Sequence, residues 1–331
     1  MSGEERQKHA NEISNKYVPG LLAGDEKIMQ EIADLSIQDI ITIYSNAIWA
    51  TKNHIFPKSD MSAVEAAAKI VMKKIKEAKA IWTVTDRVTN APFIDDSNSV
   101  WLFSEKEIAD ECVDHFRQQY RTTFEVTEIP GEEIEEFLGI TAYARGAGSF
   151  VIDNGRHYLT VMADEIAERP DFSTFTSAKN PVVNPALFRA IAKFQQERLW
   201  RVNYKGKAEK LRALEDDMIK AFCEARLIIP VKITAKQGST KATICIPSLS
   251  NGDGHKATPA FTDWKEMSSV YPSSKWSGWV WTINDLLAAP DDTIVVNCKT
   301  LGFVVTKEML RKMKEINETE FQKTGTNKKG A

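Results

Sequence analysis

Residues 277–310 read SGWVWTINDLLAAPDDTIVVNCKTLGFVVTKEML, and the order of elements in this stretch decides the fold. Trp279-Val280-Trp281 alternates as an apolar strand, and Thr282 follows as the N-cap of a short helix ending at Leu287. Two β-rich runs, 293–297 and 302–305, then flank a turn at 298–300, after which Thr306 caps a helix opening at Lys307. The order is helix, hairpin, helix. It occurs once before, 144 residues earlier: a helix over 132–144, a strand at 149–152, the turn Asp153-Asn154-Gly155, a strand at 157–161 and a helix opening at 163–166. Asn-Gly between apolar runs is a strong hairpin signal.

Working outward, the upstream segments match in the same order. Lys79-Ala-Ile-Trp-Thr-Val84 parallels Arg226-Leu-Ile-Ile-Pro-Val231, each closing an amphipathic helix, the first of which opens with a capping box at Ser62 and Glu65. Phe103-Ser104 with Glu107 parallels Phe261-Thr262 with Glu266: a Phe, a hydroxyl N-cap and an acidic first turn. Three matches in register point to an internal duplication. The expected fold class is α+β, with two tandem domains, each with helices around a small mixed sheet, plus an N-terminal helical region. The expected boundaries are 1–60 for that region, 61–171 for the first copy, 172–206 for a linker and helix opened by Asn184-Pro185, 207–318 for the second copy, and 319–331 for a flexible tail. The Gly-rich run 248–255 reads as a mobile hairpin tip.

Pro259-Ala-Phe-Thr-Asp-Trp264, preceded by Ile228-Ile-Pro-Val231 and followed by Ile294-Val-Val-Asn297 and Gly302-Phe-Val-Val-Thr306, resembles the SseB N-terminal-domain family, that of the enhanced-serine-sensitivity protein. The resemblance covers the second copy. The first keeps the order but carries Val100-Trp-Leu-Phe-Ser104 where the second has Pro-Ala-Phe-Thr, so its membership follows through the repeat. What the resemblance implies is a cytoplasmic bacterial α+β domain with no established reaction, cofactor or catalytic residue.

Composition narrows the class further. The 331 residues are 43% hydrophobic and 27% charged, which is globular composition, and no run of eighteen apolar residues or N-terminal signal pattern is present. A cytoplasmic address and no membrane contact are expected. Cys112, Cys223, Cys245 and Cys298 form no Cys-x-x-Cys pair and read as buried thiols. The net charge of -3 conceals an acidic middle, with 18 acids against 6 bases over 91–171, and a basic end, with 16 against 25 over 172–331. Ordinary solvated faces account for this, as would docking of an acidic on a basic surface within one chain or in a homo-oligomer. Nucleic acid is the less favoured partner, because the bases form no tight stripe.

The candidate binding residues are Phe261, Thr262, Asp263, Trp264, Trp276 and Asn297. Phe261 to Trp264 would line a peptide or ligand groove, while a strand-end Phe and a capping Thr explain them structurally. Trp264, Tyr271, Trp276, Trp279 and Trp281 form either a recognition platform or a core cluster, with Trp276, set among serines, expected to be the exposed ring. The carboxylates at 132, 133, 135 and 136 fit a helix start. Five dispersed histidines give no metal pattern, and 145–149 and 236–241 read as turns, not phosphate loops. No cofactor is expected. The favoured function is a non-enzymatic binding or scaffold protein with an unknown protein or peptide partner; the alternatives are an enzyme assembling Asp263, His157 and Asn297 between the copies, and a weak nucleic-acid module.

Overall fold

The computed structural model describes residues 3–56, 60–120, 123–176, 181–235, 242–250 and 253–326. The fold is α+β, and the chain divides into two compact units: Met1–Thr85, Asp96–Leu138 and Gly148–Glu168 form the first, and Asp86–Asp95, Gly139–Ala147 and Arg169–Ala331 the second.

The first unit opens with four helices, Gly3–Leu22, Glu26–Ala33, Ile37–Lys52 and Met61–Lys76, whose buried stripes (Ile40, Ile41, Ile43, Val71 and Ile75 among them) pack on one another. The last of these is capped by Asp60, whose carboxylate accepts from Ser62 N at 2.9 Å, so Asp60 takes the role expected of Ser62. An acid one residue before the helix reaches the free amides more directly than a hydroxyl inside its first turn. Strand Ala80–Asp86 pairs antiparallel with Ser99–Phe103, which pairs parallel with Ser149–Ile152, which in turn pairs antiparallel with Leu159–Met162. Strand Phe124–Pro130, which the sequence reading left out, also pairs with Ala80–Asp86. Helix Lys106–Tyr120 lies on this sheet, with Phe116 in contact with Trp101 at a ring separation of 5.0 Å and with Phe124 at 6.0 Å.

In the second unit, helices Pro185–Leu199 and Lys207–Glu224 pack together, and strand Leu227–Ala235 pairs antiparallel with both Ser277–Trp281 and Ala242–Cys245. Strand Lys256–Ala260 pairs parallel with Thr293–Val296, which pairs antiparallel with Phe303–Thr306 before the final helix, Lys307–Thr326. That helix carries the chain past 318. Thr306 caps it as expected, accepting from Met309 N at 3.2 Å.

The two units share a register. Val100 lies opposite Phe150 and Phe150 opposite Val161; Thr258 lies opposite Ile294 and Ile294 opposite Val305. The hairpins therefore correspond at the offset of 144 residues that the sequence shows, with Phe150 and Ile294 in matching places. The helix after the first strand of the parallel pair differs in length, Lys106–Tyr120 against Trp264–Ser268.

Ile228 joins the two sheets of the second unit through paired backbone bonds with Phe261, each 2.9 Å long. Phe261, Trp264, Met267 and Tyr271 pack with it as a buried cluster, and Gly278 leaves the room that the cluster needs: a Cβ there would stand 2.5 Å from Trp264 Cη2 and 2.6 Å from Ile228 Cγ2. Of the four cysteines, Cys112 is buried, Cys223 and Cys298 are half-buried, and Cys245 is exposed on its strand, which corrects the expectation of four buried thiols. Phe261→Ala is expected to cost about 3–5 kcal/mol through the cavity it leaves. Gly278→Ala should cost about 1–3 kcal/mol by overpacking against Trp264. Urea denaturation of both variants measures these losses, and near-wild-type midpoints would show the cluster to be loosely packed.

Candidate functional site

The carboxyl ends of the parallel strands Lys256–Ala260 and Thr293–Val296 bring together four of the candidate residues, Phe261, Thr262, Asp263 and Asn297. Asn297 leaves its strand at φ 49, in the left-handed region where Asn is one of the few tolerated side chains. Its amide donates to Ala260 O at 2.9 Å, and its carbonyl accepts from the amides of Thr300 and Gly302, closing the hairpin turn. The side chain then reaches across the strands. Asn297 Oδ1 accepts from Thr262 N at 3.0 Å, and Asn297 Nδ2 donates to Thr262 Oγ1 at 2.8 Å.

Thr262 passes the chain of bonds on, donating from Oγ1 to Asp263 Oδ2 at 3.0 Å, and Asp263 Oδ1 accepts from Glu266 N at 2.9 Å. The cap of helix Trp264–Ser268 is therefore Asp263, and the expected cap, Thr262, is instead drawn into the clasp with Asn297. Glu266 accepts from Thr300 Oγ1 at 2.9 Å and faces Arg145 at 4.0 Å. Arg145 comes from the turn before Gly146, whose φ of +79 and whose close approach to Pro185 O, 2.5 Å from where a Cβ would stand, fix that turn. Asn184, read from sequence only as a helix opener, donates to the carbonyls of both Thr262 and Arg226 and accepts from Arg226 N, tying the same corner to the preceding helix.

Electrostatics follow from burial. Asp263 is held above the usual carboxylate range by desolvation, partly offset by the hydrogen bonds from Glu266 N and Thr262. Glu266 is raised by desolvation and then by the charge of Asp263, with Arg145 pulling the other way. Thr262, Asp263 and Asn297 are buried and spend their polar atoms on one another, so chemically this corner is a fastening.

The same fastening occurs in the first unit. Asp153, at φ 60, donates its amide to Leu102 O at 2.8 Å, and its carboxylate accepts from Ser104 N and Ser104 Oγ, both at 2.8 Å. Ser104 is thus engaged by Asp153 through both its amide and its hydroxyl, two residues before helix Lys106–Tyr120 opens. The neutral carboxamide of one unit is an acid in the other, and burial lifts Asp153 to about 6.

The aromatic candidates separate by exposure. Trp264 and Tyr271 are core residues, and Trp276 is half-buried with its ring 5.0 Å from that of Tyr271, which corrects its expected exposure. Trp279 is the exposed ring. His157, in the first unit, has its imidazole pKa lowered by burial and its carbonyl bonded by Gln38. The turn candidate 236–241, residues 251 and 252 of the hairpin tip, and the tail lysines at 328 and 329 lie outside the described residues. Among the described residues no group of three or more His, Cys, Asp or Glu is placed to hold a metal ion, and no helix is long and apolar enough to cross a membrane.

Asp153→Asn is expected to raise stability at pH 7 by about 1–3 kcal/mol, because Asn297 shows that a carboxamide can make the clasp without a buried charge. The sign follows from linkage. Asp153 has a folded pKa above its ordinary 3.8, so its stabilising contribution is complete below pH 3.8 and is lost as pH rises through about 6. Denaturation midpoints of Asp153→Asn should therefore vary less between pH 4 and 7 than those of wild type. The converse change, Asn297→Asp, places a third acid beside Asp263 and Glu266 and should cost about 3 kcal/mol at pH 7, partly recovered on acidification.

Residues 206–312 match the family model for the SseB protein N-terminal domain. Comparisons with curated proteins and with solved structures give no match.

Proposed function

We propose that the chain is a non-enzymatic binding or scaffold protein built on two SseB-type units, and that it engages a protein partner through the apolar face of the second. The tandem reading is supported by the shared strand pairings and by the Asx clasp that recurs at Asp153 and Asn297. The binding reading rests on one observation. Trp279, Ile233 and Ile244 are 38%, 55% and 48% exposed, and strand alternation puts all three on one face of the sheet formed by Leu227–Ala235, Ala242–Cys245 and Ser277–Trp281.

Ile233 sits directly opposite Ile244, and Trp279 opposite Ile229, so the exposed side chains continue a face whose centre, at Ile229 and Val231, is buried. Large apolar side chains in solvent around a rigid sheet suit a protein interface, where a Trp anchor on truncation is worth roughly 2 kcal/mol or more. The polar residues at the strand ends, by contrast, are already committed to each other. Candidate residues Phe261, Thr262, Asp263 and Asn297 thus support the surface from behind, and Trp276 borders the core beneath it.

The test is capture from the native host's lysate with the full chain as bait. Wild type should retain a partner that the triple variant Trp279→Ser, Ile233→Ser, Ile244→Ser loses, with melting temperatures close together, since exposed substitutions usually change stability by about 0.5 kcal/mol or less. Equal retention by the triple variant would overturn the assignment. Sedimentation of both proteins shows whether the partner is a second copy.

A further inference from the structure

The turn that joins helices Pro185–Leu199 and Lys207–Glu224 shares no residue with the clasp or with the apolar sheet face. From Arg198 to Arg212 the chain reads RLWRVNYKGKAEKLR, with six bases against one acid, Glu209. Some of that charge is spent on the turn itself. Glu197, 4% exposed, accepts from the Tyr204 hydroxyl at 2.8 Å and pairs with Lys210 at 3.0 Å. Lys207 donates to the carbonyls of Trp200 and Val202, and the Tyr204 ring packs edge-on against Trp200 with centroids 6.3 Å apart. The turn is therefore held to its helices by its own side chains.

What remains faces water. Arg198, Arg201 and Lys205 are exposed, and among the described residues none of the three meets a carboxylate. Between them, Leu199 is 41% and Tyr204 36% exposed, with Trp200 and Val202 half-buried. Because the two helices pack together, the short connection between them gathers these cations and apolar side chains at one end of the pair.

We infer that this tip docks the chain on an anionic lipid surface. Arg198, Arg201 and Lys205 meet the headgroup phosphates and carboxylates, while Leu199 and the edges of Trp200 and Tyr204 enter the boundary between headgroups and acyl chains. Charge complementarity commits the tip to an anionic occupant. The apolar side chains then choose among anions, because Trp, Tyr and Leu beside bases are the composition that settles at a membrane interface. Single-stranded nucleic acid fits less well, since it needs ring faces free to stack on bases and offers nothing to Leu199. Tyr204 is instead tied to Glu197 and set edge-on to Trp200. Such a contact is peripheral and needs no spanning helix, so the absence of a long apolar run, from which no membrane contact is expected, does not register it.

The experiment sediments the full chain with vesicles of phosphatidylcholine containing about 30% phosphatidylserine. Wild type should be retained at about 0.1 M salt, released at about 0.5 M as screening shortens the reach of each charge, and not retained by phosphatidylcholine alone. Arg201→Gln combined with Lys205→Gln should weaken retention about fivefold for each charge removed. Leu199→Ser, a change at an exposed position, should weaken it several-fold. Two controls separate the tip from general attraction. Lys27→Gln combined with Lys52→Gln, which removes two exposed bases elsewhere, should bind as wild type does, and so should the sheet-face triple variant. Failure of wild type to sediment with the anionic vesicles at about 0.1 M salt, unchanged retention in either tip variant, or loss of retention in either control would each overturn the inference. Tighter capture of a labelled single-stranded oligonucleotide than of the vesicles, lost in the Arg201 and Lys205 variant, would overturn it in favour of nucleic acid.

Discussion

Asn297 ends a strand, bends the chain into the left-handed region and spends its carboxamide on the amide and hydroxyl of Thr262, at the end of the neighbouring parallel strand. Parallel strands have no tight turn to hold their ends in register, so the amide just past each strand needs a partner from elsewhere. An Asx side chain at a positive φ supplies that partner from the adjoining turn. Once Thr262 is fixed, Phe261 is aligned with Ile228, Asp263 can cap its helix, and Trp264 is directed over Gly278. The core of the second unit hangs from this one junction.

The first unit uses the same junction with a different charge. Asp153 has two donors from Ser104 where Asn297 has one donor and one acceptor in Thr262, so each hydroxyl is oriented to suit its partner. In the second unit the acids sit one step further along the chain of bonds, at Asp263 and Glu266, with Arg145 alongside. A neutral clasp there keeps a third carboxylate out of the same buried corner.

Much of this architecture is legible in the sequence, because hairpin turns and apolar alternation are local. The runs 149–161 and 293–305 announce two hairpins, and the spacing of Phe103-Ser104 and Phe261-Thr262 places both strand ends. Strand Phe124–Pro130 escaped, although Phe124, Val126 and Ile129 carry an apolar signal, because no flanking Gly or Asn marks where it starts. The caps at Thr282 and Thr306 were read correctly, but that of helix Trp264–Ser268 was misassigned to Thr262 for a different reason. A Thr before an acidic turn fits a cap, and only the fold reveals that Asn297, 35 residues away, bonds that hydroxyl while Asp263 caps the helix. The candidate residues of the second unit were found as a cluster, yet their burial depends on which strand lies beside which. Likewise, Trp279 and not Trp276 faces solvent because Trp276 folds back onto Tyr271.

Those same separations bear on how the chain folds. A hydrogen bond between residues 35 or 49 positions apart gains nothing until the intervening loop has closed, and closure entropy grows with length. The helices and antiparallel hairpins can form from neighbouring residues, whereas each clasp waits for its parallel pair. Sequence-distant pairings of this kind slow the search for the native state. By this measure the clasp forms after the hairpins, and until it does, the strand end bearing Phe261 stays without its anchor.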